Sequence, residues 1–204
     1  SSLIKTPIVL VPTHSWEQSL EFAKQRRCDI ISSAVETPGR KTFLSFTKPS
    51  LQYSVAIATT SDKSFIDSMD TIADKKLAII KGYAFGELLQ SRYPHLQFTE
   101  VATLDEGFSL VRKGLVFGYI DPLPVLSYAI QNNTFESLKI NGKFDEKWNL
   151  SIGVRNDEPL LLSIFNKAIQ SVDEQAKTEI MHRWISPTYE QKPNYTLVVQ
   201  VVLI

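Results

Sequence analysis

Hydrophobic and polar residues follow one another along this chain in two rhythms, which predict a mixture of strands and helices. Short apolar runs of about 4–8 residues predict buried strands, whereas apolar residues spaced three and four apart predict helices. The runs place strands at 7–11, 29–33, 53–58, 77–80, 98–101, 116–121 and 150–155. Since helical segments separate most of them, we expect βαβ units, an α/β fold and mostly parallel sheets.

Helix starts are marked by capping sequences. Ser15 is followed by Gln18 and Thr103 by Glu106, which is the spacing of a capping box, so helices are predicted to begin just after Ser15 and Thr103. Further helices are predicted at 84–92, after Pro122, at 159–172 and at 173–184. The pair at 141–142, Asn-Gly, predicts a turn before the last strand.

Composition narrows the class of protein. The 204 residues are 43% hydrophobic and 22% charged, and 22 Lys and Arg balance 22 Asp and Glu. This composition predicts a folded chain and argues against a nucleic-acid partner, which would require a basic excess. The single cysteine and three scattered histidines predict neither an internal disulfide nor a metal site, and no cofactor is expected. Catalytic motifs are absent from the sequence, so an enzyme is not expected.

The C-terminal residues allow two interpretations. Residues 187–193 form a polar, proline-bracketed linker, and residues 195–204 are uncharged and rich in β-branched side chains. That tail has about half the length of the ~20-residue apolar run that spans a membrane. It is either an edge strand that closes a sheet or the first turns of a transmembrane helix.

Candidate binding residues cluster at the predicted carboxyl ends of strands, where ligands gather in open α/β sheets. They offer a guanidinium, a carboxylate, hydroxyls and a turn before a helix: Arg40, Asp121, Ser32, Ser33, Lys81 and Tyr83. Each has a structural alternative. Arg40 is otherwise a solvated surface arginine, and Asp121 a helix N-cap next to Pro122. The two serines otherwise serve turn hydrogen bonds, and Trp16 either stacks on a ligand or packs in the core.

Motifs spread along the chain resemble family 3 of the extracytoplasmic solute-binding proteins. The first part carries Trp16-x-x-x-Leu20, Glu36-Thr-Pro-Gly-Arg40 and Phe43-Leu-Ser-Phe-Thr-Lys-Pro49. The second part carries Lys81-Gly-Tyr83, Leu104-Asp-Glu-Gly107 and Gly118-Tyr-Ile-Asp121. The third carries Leu138-Lys-Ile-Asn-Gly142, Leu150-Ser-Ile-Gly-Val-Arg155 and Ile180-x-x-x-Trp184. This last series is similar to the Venus-flytrap sensor modules of membrane-bound histidine kinases and diguanylate cyclases.

The resemblance implies a periplasmic-binding-protein-like fold of type II, with two α/β lobes, a ligand cleft and two crossover hinges. It places the first part of lobe 1 at 1–57, lobe 2 at 58–150 and the return to lobe 1 at 151–186. Residues 187–204 are then a linker and the start of a transmembrane helix. The family's opening strand and helix have no counterpart before Thr6.

For function, the resemblance implies a periplasmic sensor domain of a bacterial inner-membrane signalling protein, which binds an amino acid or small carboxylate by lobe closure. The alternative is the substrate-binding protein of an amino-acid ABC transporter. Arg40 would hold the ligand α-carboxylate and Asp121 its α-amino group. A homodimer is possible. Three departures put standard amino-acid selectivity in doubt, since Gly39, Ser50 and Tyr83 stand where the family usually has a glutamate, an aromatic residue and a small hydroxyl residue.

Overall fold

The computed structural model describes residue 4, residues 6–132 and residues 137–184. Its helices are α1 (Trp16–Lys24), α2 (Pro38–Lys41), α3 (Ala84–Arg92), α4 (Leu104–Arg112), α5 (Leu123–Asn132), α6 (Pro159–Gln170) and α7 (Glu174–Trp184). Its strands are β1 (Ile30–Ala34), β2 (Leu44–Phe46), β3 (Leu51–Thr60), β4 (Lys76–Ile80), β5 (Gln97–Val101), β6 (Gly118–Pro122) and β7 (Leu138–Arg155). A short 3-10 helix spans Met69–Ile72. The predicted α/β fold is confirmed.

One strand, β7, ties the whole sheet together. The strand order is β1-β7-β3-β6-β4-β5, with β2 also beside β7. Residues 151–155 of β7 pair with β1 and β2, whereas residues 138–150 pair with β3. We therefore call lobe 1 the unit of β1, β2 and residues 151–155, with α1, α2 and α6. Lobe 2 is the unit of β3–β6 and residues 138–150, with α3–α5.

The expected parallel sheet is limited to part of lobe 2. There β4 pairs in parallel with β5 and β6, because α3 and α4 supply the crossovers that parallel neighbours require. All pairings of β7 and the pairing of β3 with β6 are antiparallel. The prediction of mostly parallel sheets is therefore wrong, since β3 and β7 run past each other along most of their length.

Both predicted capping boxes are confirmed. The Ser15 hydroxyl accepts from the Gln18 amide, and the Gln18 side chain accepts from the His14 amide. At α4, the Thr103 hydroxyl accepts from the Glu106 amide, and the Glu106 carboxylate accepts from the amide of Ala102. Each box satisfies backbone donors that a helix start leaves unpaired. The first box sets Trp16 as the first residue of α1.

The predicted first strand, residues 7–11, does not form. Residues 7–13 have no regular secondary structure, and Ile8, Val9 and Leu10 are 54%, 80% and 88% exposed. The apolar run provides strand-forming side chains, but no strand of the described residues pairs with it. A strand exists only through a hydrogen-bonded neighbour, which a local pattern cannot supply.

The predicted turn at Asn141 and Gly142 is also wrong, because both residues lie inside β7. Asn141 is fully buried, and its Nδ2 donates to Thr59 Oγ1 at 3.2 Å. The same amide donates to the backbone carbonyls of Lys63 and Ser64, at 3.2 and 2.7 Å. The side chain thus anchors the loop after β3, and this long-range role explains an Asn-Gly pair that ends no strand.

Among the described helices, none has the length and apolar character needed to cross a membrane. The linker at 187–193 and the tail at 195–204 lie outside the described residues. Neither interpretation of the tail is tested by the structure.

Replacing Asn141 with alanine is expected to destabilise the fold by about 2 kcal/mol, because a buried hydroxyl and two partly buried carbonyls lose their donor. The matched control is Asn149→Ala on the same strand, where the side chain is exposed and pairs with exposed Gln52. That change is expected to stay within about 0.5 kcal/mol. Urea denaturation of both variants measures the difference, and equal losses would refute the anchoring role.

Candidate functional site

Arg40 is a buried residue at the contact between the two lobes. It lies in the short helix α2, which starts with Pro38, and the Thr37 hydroxyl accepts from the Arg40 amide at 3.3 Å. Only 7% of Arg40 is exposed. Its interpretation as a solvated surface arginine is therefore wrong.

The Arg40 guanidinium hydrogen-bonds to both lobes. Nη1 donates to the carbonyl of Val35 at 2.7 Å, and Nη2 donates across to the carbonyl of Gly82 at 2.9 Å. Burial lowers the pKa of Arg40, while the nearby Glu87 and Tyr83 act in the opposite direction. Because the ordinary pKa of an arginine is so far above neutral pH, the guanidinium stays charged. A full positive charge therefore lies between the lobes.

The turn between β4 and α3 supplies the acceptor for this bond. Gly82 has φ +76°, a left-handed conformation that favours glycine. The neighbouring Lys81 makes a second contact between the lobes, since its Nζ lies 3.1 Å from Glu17 Oε1. Both side chains of that pair are more than half exposed, at 53% and 63%, so it contributes little to the closed arrangement.

Three aromatic rings extend the contact between the lobes. Tyr83 meets Trp16 of lobe 1 edge-on, with ring centroids 5.9 Å apart. Tyr83 also meets Trp148 of β7 edge-on, with ring centroids 5.1 Å apart. The Arg40 guanidinium lies 5.2 Å from the centroid of the Trp16 ring. We call the set of Arg40, Gly82, Trp16, Tyr83 and Trp148 the interlobe seam.

Asp121 is buried on β6, close to Tyr83. It is 1% exposed, and its Oδ2 accepts from the Tyr119 hydroxyl at 2.7 Å, whereas Oδ1 has no hydrogen-bond partner. Burial raises the pKa of Asp121 to about 7, although the Tyr119 bond favours the ionised form. The Asp121 charge in turn raises the pKa of Tyr83, after the larger effect of burial. A buried carboxyl with one free oxygen is thus available to a donor.

The two predicted serines lie apart from these contacts. Ser32 and Ser33 are exposed at an irregularity of β1, where the pairing with β7 shifts between Ile31 and Ala34. Ser33 has φ +56°, in the left-handed region. Among the described residues, no hydrogen bond or ion pair links either serine to Arg40.

The structure therefore brings together Arg40, Lys81 and Tyr83, with Asp121 next to Tyr83, and leaves Ser32 and Ser33 outside the seam. The sequence offered Trp16 as a candidate stacking residue, whereas Trp148 was not among the candidate binding residues. Trp148 does belong to a core cluster, yet its ring also contacts Tyr83. No signal in the spacing of the sequence distinguishes these two situations.

The seam and the neighbouring Asp121 carry groups that can bind a small molecule. They offer a guanidinium, a buried carboxyl, two indole N–H groups and aromatic faces. No group of three or more His, Cys, Asp or Glu side chains in the described part of the chain could hold a metal ion. Such a set of donors with one acceptor is complementary to a small anionic or zwitterionic molecule.

Comparison with known proteins agrees with the geometry. The sequence model of the bacterial extracellular solute-binding proteins, family 3, matches residues 4–187. The virulence sensor protein BvgS of Bordetella pertussis is 22% identical over 169 residues, which are 82% of this chain. The chain spans 14% of the length of that relative.

Solved structures give the same fold. The crystal structure of the periplasmic VFT2 domain of Bordetella pertussis BvgS has a TM-score of 0.80 at 21% identity, covering 90% of this chain and 80% of that one. An ancestral arginine-binding protein bound to arginine has a TM-score of 0.75 at 18% identity, covering 91% of this chain and 83% of that one. The expected two-lobed, periplasmic-binding-protein-like fold is confirmed.

The raised pKa of Asp121 predicts that the folded protein loses stability as this carboxyl ionises. The folded protein holds this proton more tightly than the unfolded chain, so stability is lost as pH rises from about 4 to about 7. Asp121→Asn is therefore expected to raise the free energy of unfolding by about 2–4 kcal/mol at pH 8. At pH 4 the variant and the wild type should be alike. Thermal and urea unfolding at both pH values measure this difference.

The control is Asp145→Asn, which removes an exposed carboxylate of β7 and should give no such gain at pH 8. Equal stability of Asp121→Asn and wild type at pH 8 would contradict a buried, destabilising Asp121 carboxylate.

Proposed function

The chain belongs to family 3 of the bacterial extracellular solute-binding proteins, and from this premise we propose that it is the periplasmic ligand-binding module of a membrane-bound sensor. In this proposal the two lobes close on a small carboxylate or an amino-acid-like molecule. The full protein carries the signal across the inner membrane to a cytoplasmic kinase or cyclase. The 22% identity to the sensor BvgS favours this role over delivery of amino acids to an ABC transporter.

The observation that supports ligand binding is the buried Arg40, which hydrogen-bonds to one carbonyl of each lobe. A ligand carboxylate offers two oxygens in the geometry of the guanidinium fork and a full negative charge. In the bonds to Val35 and Gly82 only the donor is charged, whereas a carboxylate adds an opposite charge and can accept two parallel N–H···O bonds. A carboxylate that enters the seam would therefore replace Val35 and Gly82 as the partner of Arg40.

Asp121 provides the second proposed contact with the ligand. An ammonium group of the ligand would pair with the free Oδ1 and favour the ionised carboxylate. Because the pKa of Asp121 is about 7, binding of an ammonium near that pH would release part of a proton. Isothermal titration calorimetry in buffers of different ionisation enthalpy would detect that release.

The ligand closes the lobes if it binds the closed arrangement more tightly than the open one. A ligand that bridges Arg40 in lobe 1 and Asp121 in lobe 2 binds the closed arrangement and favours it. A preference of ~3 kcal/mol shifts the equilibrium between open and closed forms more than a hundredfold. In a sensor, that shift is the signal.

Calorimetry against a panel of amino acids and small carboxylates tests the proposal. We expect one class to bind the wild-type protein, and Arg40→Ala to weaken that binding about 10- to 100-fold through loss of charge-assisted hydrogen bonds. Arg40→Lys should restore part of the affinity because it keeps the charge but loses the fork. Arg112→Ala removes an exposed arginine of lobe 2 and should change affinity less than twofold. Undiminished binding by a folded Arg40→Ala variant would refute the role of Arg40.

A further inference from the structure

Unsatisfied polar atoms concentrate around Tyr83. Six buried side-chain nitrogen or oxygen atoms in the described part of the chain have no hydrogen-bond partner. Three of these atoms are Trp16 Nε1, Trp148 Nε1 and Asp121 Oδ1. The first two lie in rings that contact Tyr83, and the third belongs to a carboxyl whose charge acts on Tyr83. Buried polar groups normally have hydrogen-bond partners. Three unpaired atoms close to one side chain therefore indicate that Tyr83 does not satisfy the polar groups around it, as a ligand could.

The Tyr83 ring contacts both indoles. Its centroid lies 5.9 Å from that of Trp16 and 5.1 Å from that of Trp148, and no ring contact between those two indoles is found in the described part of the chain. Tyr83 stands at the N-cap of α3, where its side chain makes no capping hydrogen bond. Serine, threonine, aspartate or asparagine would serve that cap better, so the tyrosine is explained by its ring rather than by the helix.

One of the two charged groups that act on Tyr83, the Arg40 guanidinium, suits a ligand carboxylate. Arg40 lies against Trp16, donates to the carbonyl of Gly82 just before Tyr83, and acts on the Tyr83 hydroxyl through its charge. Both Arg40 hydrogen bonds end on neutral backbone carbonyls. A planar ring with an anionic group attached would match the two indoles and the guanidinium at once.

We propose that the Tyr83 ring occupies the place of the ligand's planar group, so that the ligand of this chain is a small carboxylate that carries a planar ring. This inference rests on the proposed ligand-binding function. The ligand ring displaces Tyr83 and enters between Trp16 and Trp148, while its carboxylate takes over the Arg40 donors. Acceptor atoms on the ligand can then pair with the indole N–H groups, which Tyr83 leaves unpaired.

The test removes the resident ring and offers three probes. Tyr83→Ala is titrated with 4-hydroxyphenylacetate, which has ring and carboxylate, with p-cresol, which has only the ring, and with acetate. We expect the variant to bind 4-hydroxyphenylacetate at least tenfold more tightly than the wild type does. It should also gain weaker binding of p-cresol and no binding of acetate. Tyr83→Phe keeps the ring and should not show the tenfold gain in affinity for 4-hydroxyphenylacetate.

The matched control is Tyr128→Ala, which removes a half-exposed tyrosine from α5 and should give no gain for any probe. A Tyr83→Ala variant that unfolds cooperatively but binds the ring probes no better than the wild type overturns the proposal.

A second measurement needs no Tyr83 variant. In the wild-type protein, the indole N–H signals of Trp16 and Trp148 are assigned in nitrogen-15 NMR spectra by Trp→Phe replacement. Millimolar 4-hydroxyphenylacetate should shift both signals and acetate neither, and unshifted signals overturn the proposal. If the wild type instead binds aliphatic amino acids through Arg40 with no preference for a ring, this inference fails while the proposed function stands. Failure of every carboxylate to bind either protein defeats both.

Discussion

A guanidinium removed from water must find acceptors for its donors, and the arrangement of the two lobes depends on how Arg40 finds them. One acceptor is the Val35 carbonyl of its own lobe and the other is the Gly82 carbonyl of the opposite lobe. The Thr37–Pro38 helix start fixes the arginine backbone, and the left-handed Gly82 turns the acceptor toward it. If the lobes separated, Arg40 Nη2 would lose the Gly82 carbonyl as its acceptor, unless water or a ligand took the place of that carbonyl.

The other contacts across the seam are modest by comparison. The Lys81–Glu17 pair is exposed and contributes less than about 1 kcal/mol. The Trp16–Tyr83 ring contact adds about 0.5–1.5 kcal/mol beyond the area it buries. Unpaired indole N–H groups and a buried Asp121 act against these gains. Because these contacts are individually small, the proposed shift between open and closed forms requires only a modest difference in the affinity of a ligand for the two forms.

Local sequence signals predicted the parts of the fold that are locally determined. The capping boxes at Ser15 and Thr103 start helices because their partners lie within four residues. The strand expected at 7–11 and the turn expected at 141–142 are wrong because both depend on distant chain. No strand among the described residues pairs with residues 7–11, and the Asn141 side chain donates to the loop at 63–64 instead of forming a turn.

For the candidate site, the family motif pointed to Arg40, but no pattern could tell that its donors end on protein carbonyls. Nor could spacing show that Trp148, a residue of the core, also faces Tyr83. Such facts follow from tertiary contacts that a local pattern does not report, because Arg40 and Gly82 are 42 positions apart in the chain and Tyr83 and Trp148 are 65 apart.

The distance between the lobes shows most directly whether Arg40 holds them together. Spin labels at Lys24→Cys in α1 and Arg112→Cys in α4, in a Cys28→Ser background, report it by pulsed electron paramagnetic resonance without a ligand. We predict one narrow distribution for the labelled protein and an additional population at longer distance when Arg40 is replaced by alanine. A distribution that is already broad with Arg40 present, or one that Arg40→Ala leaves unchanged, would contradict the conclusion that this buried guanidinium holds the lobes together.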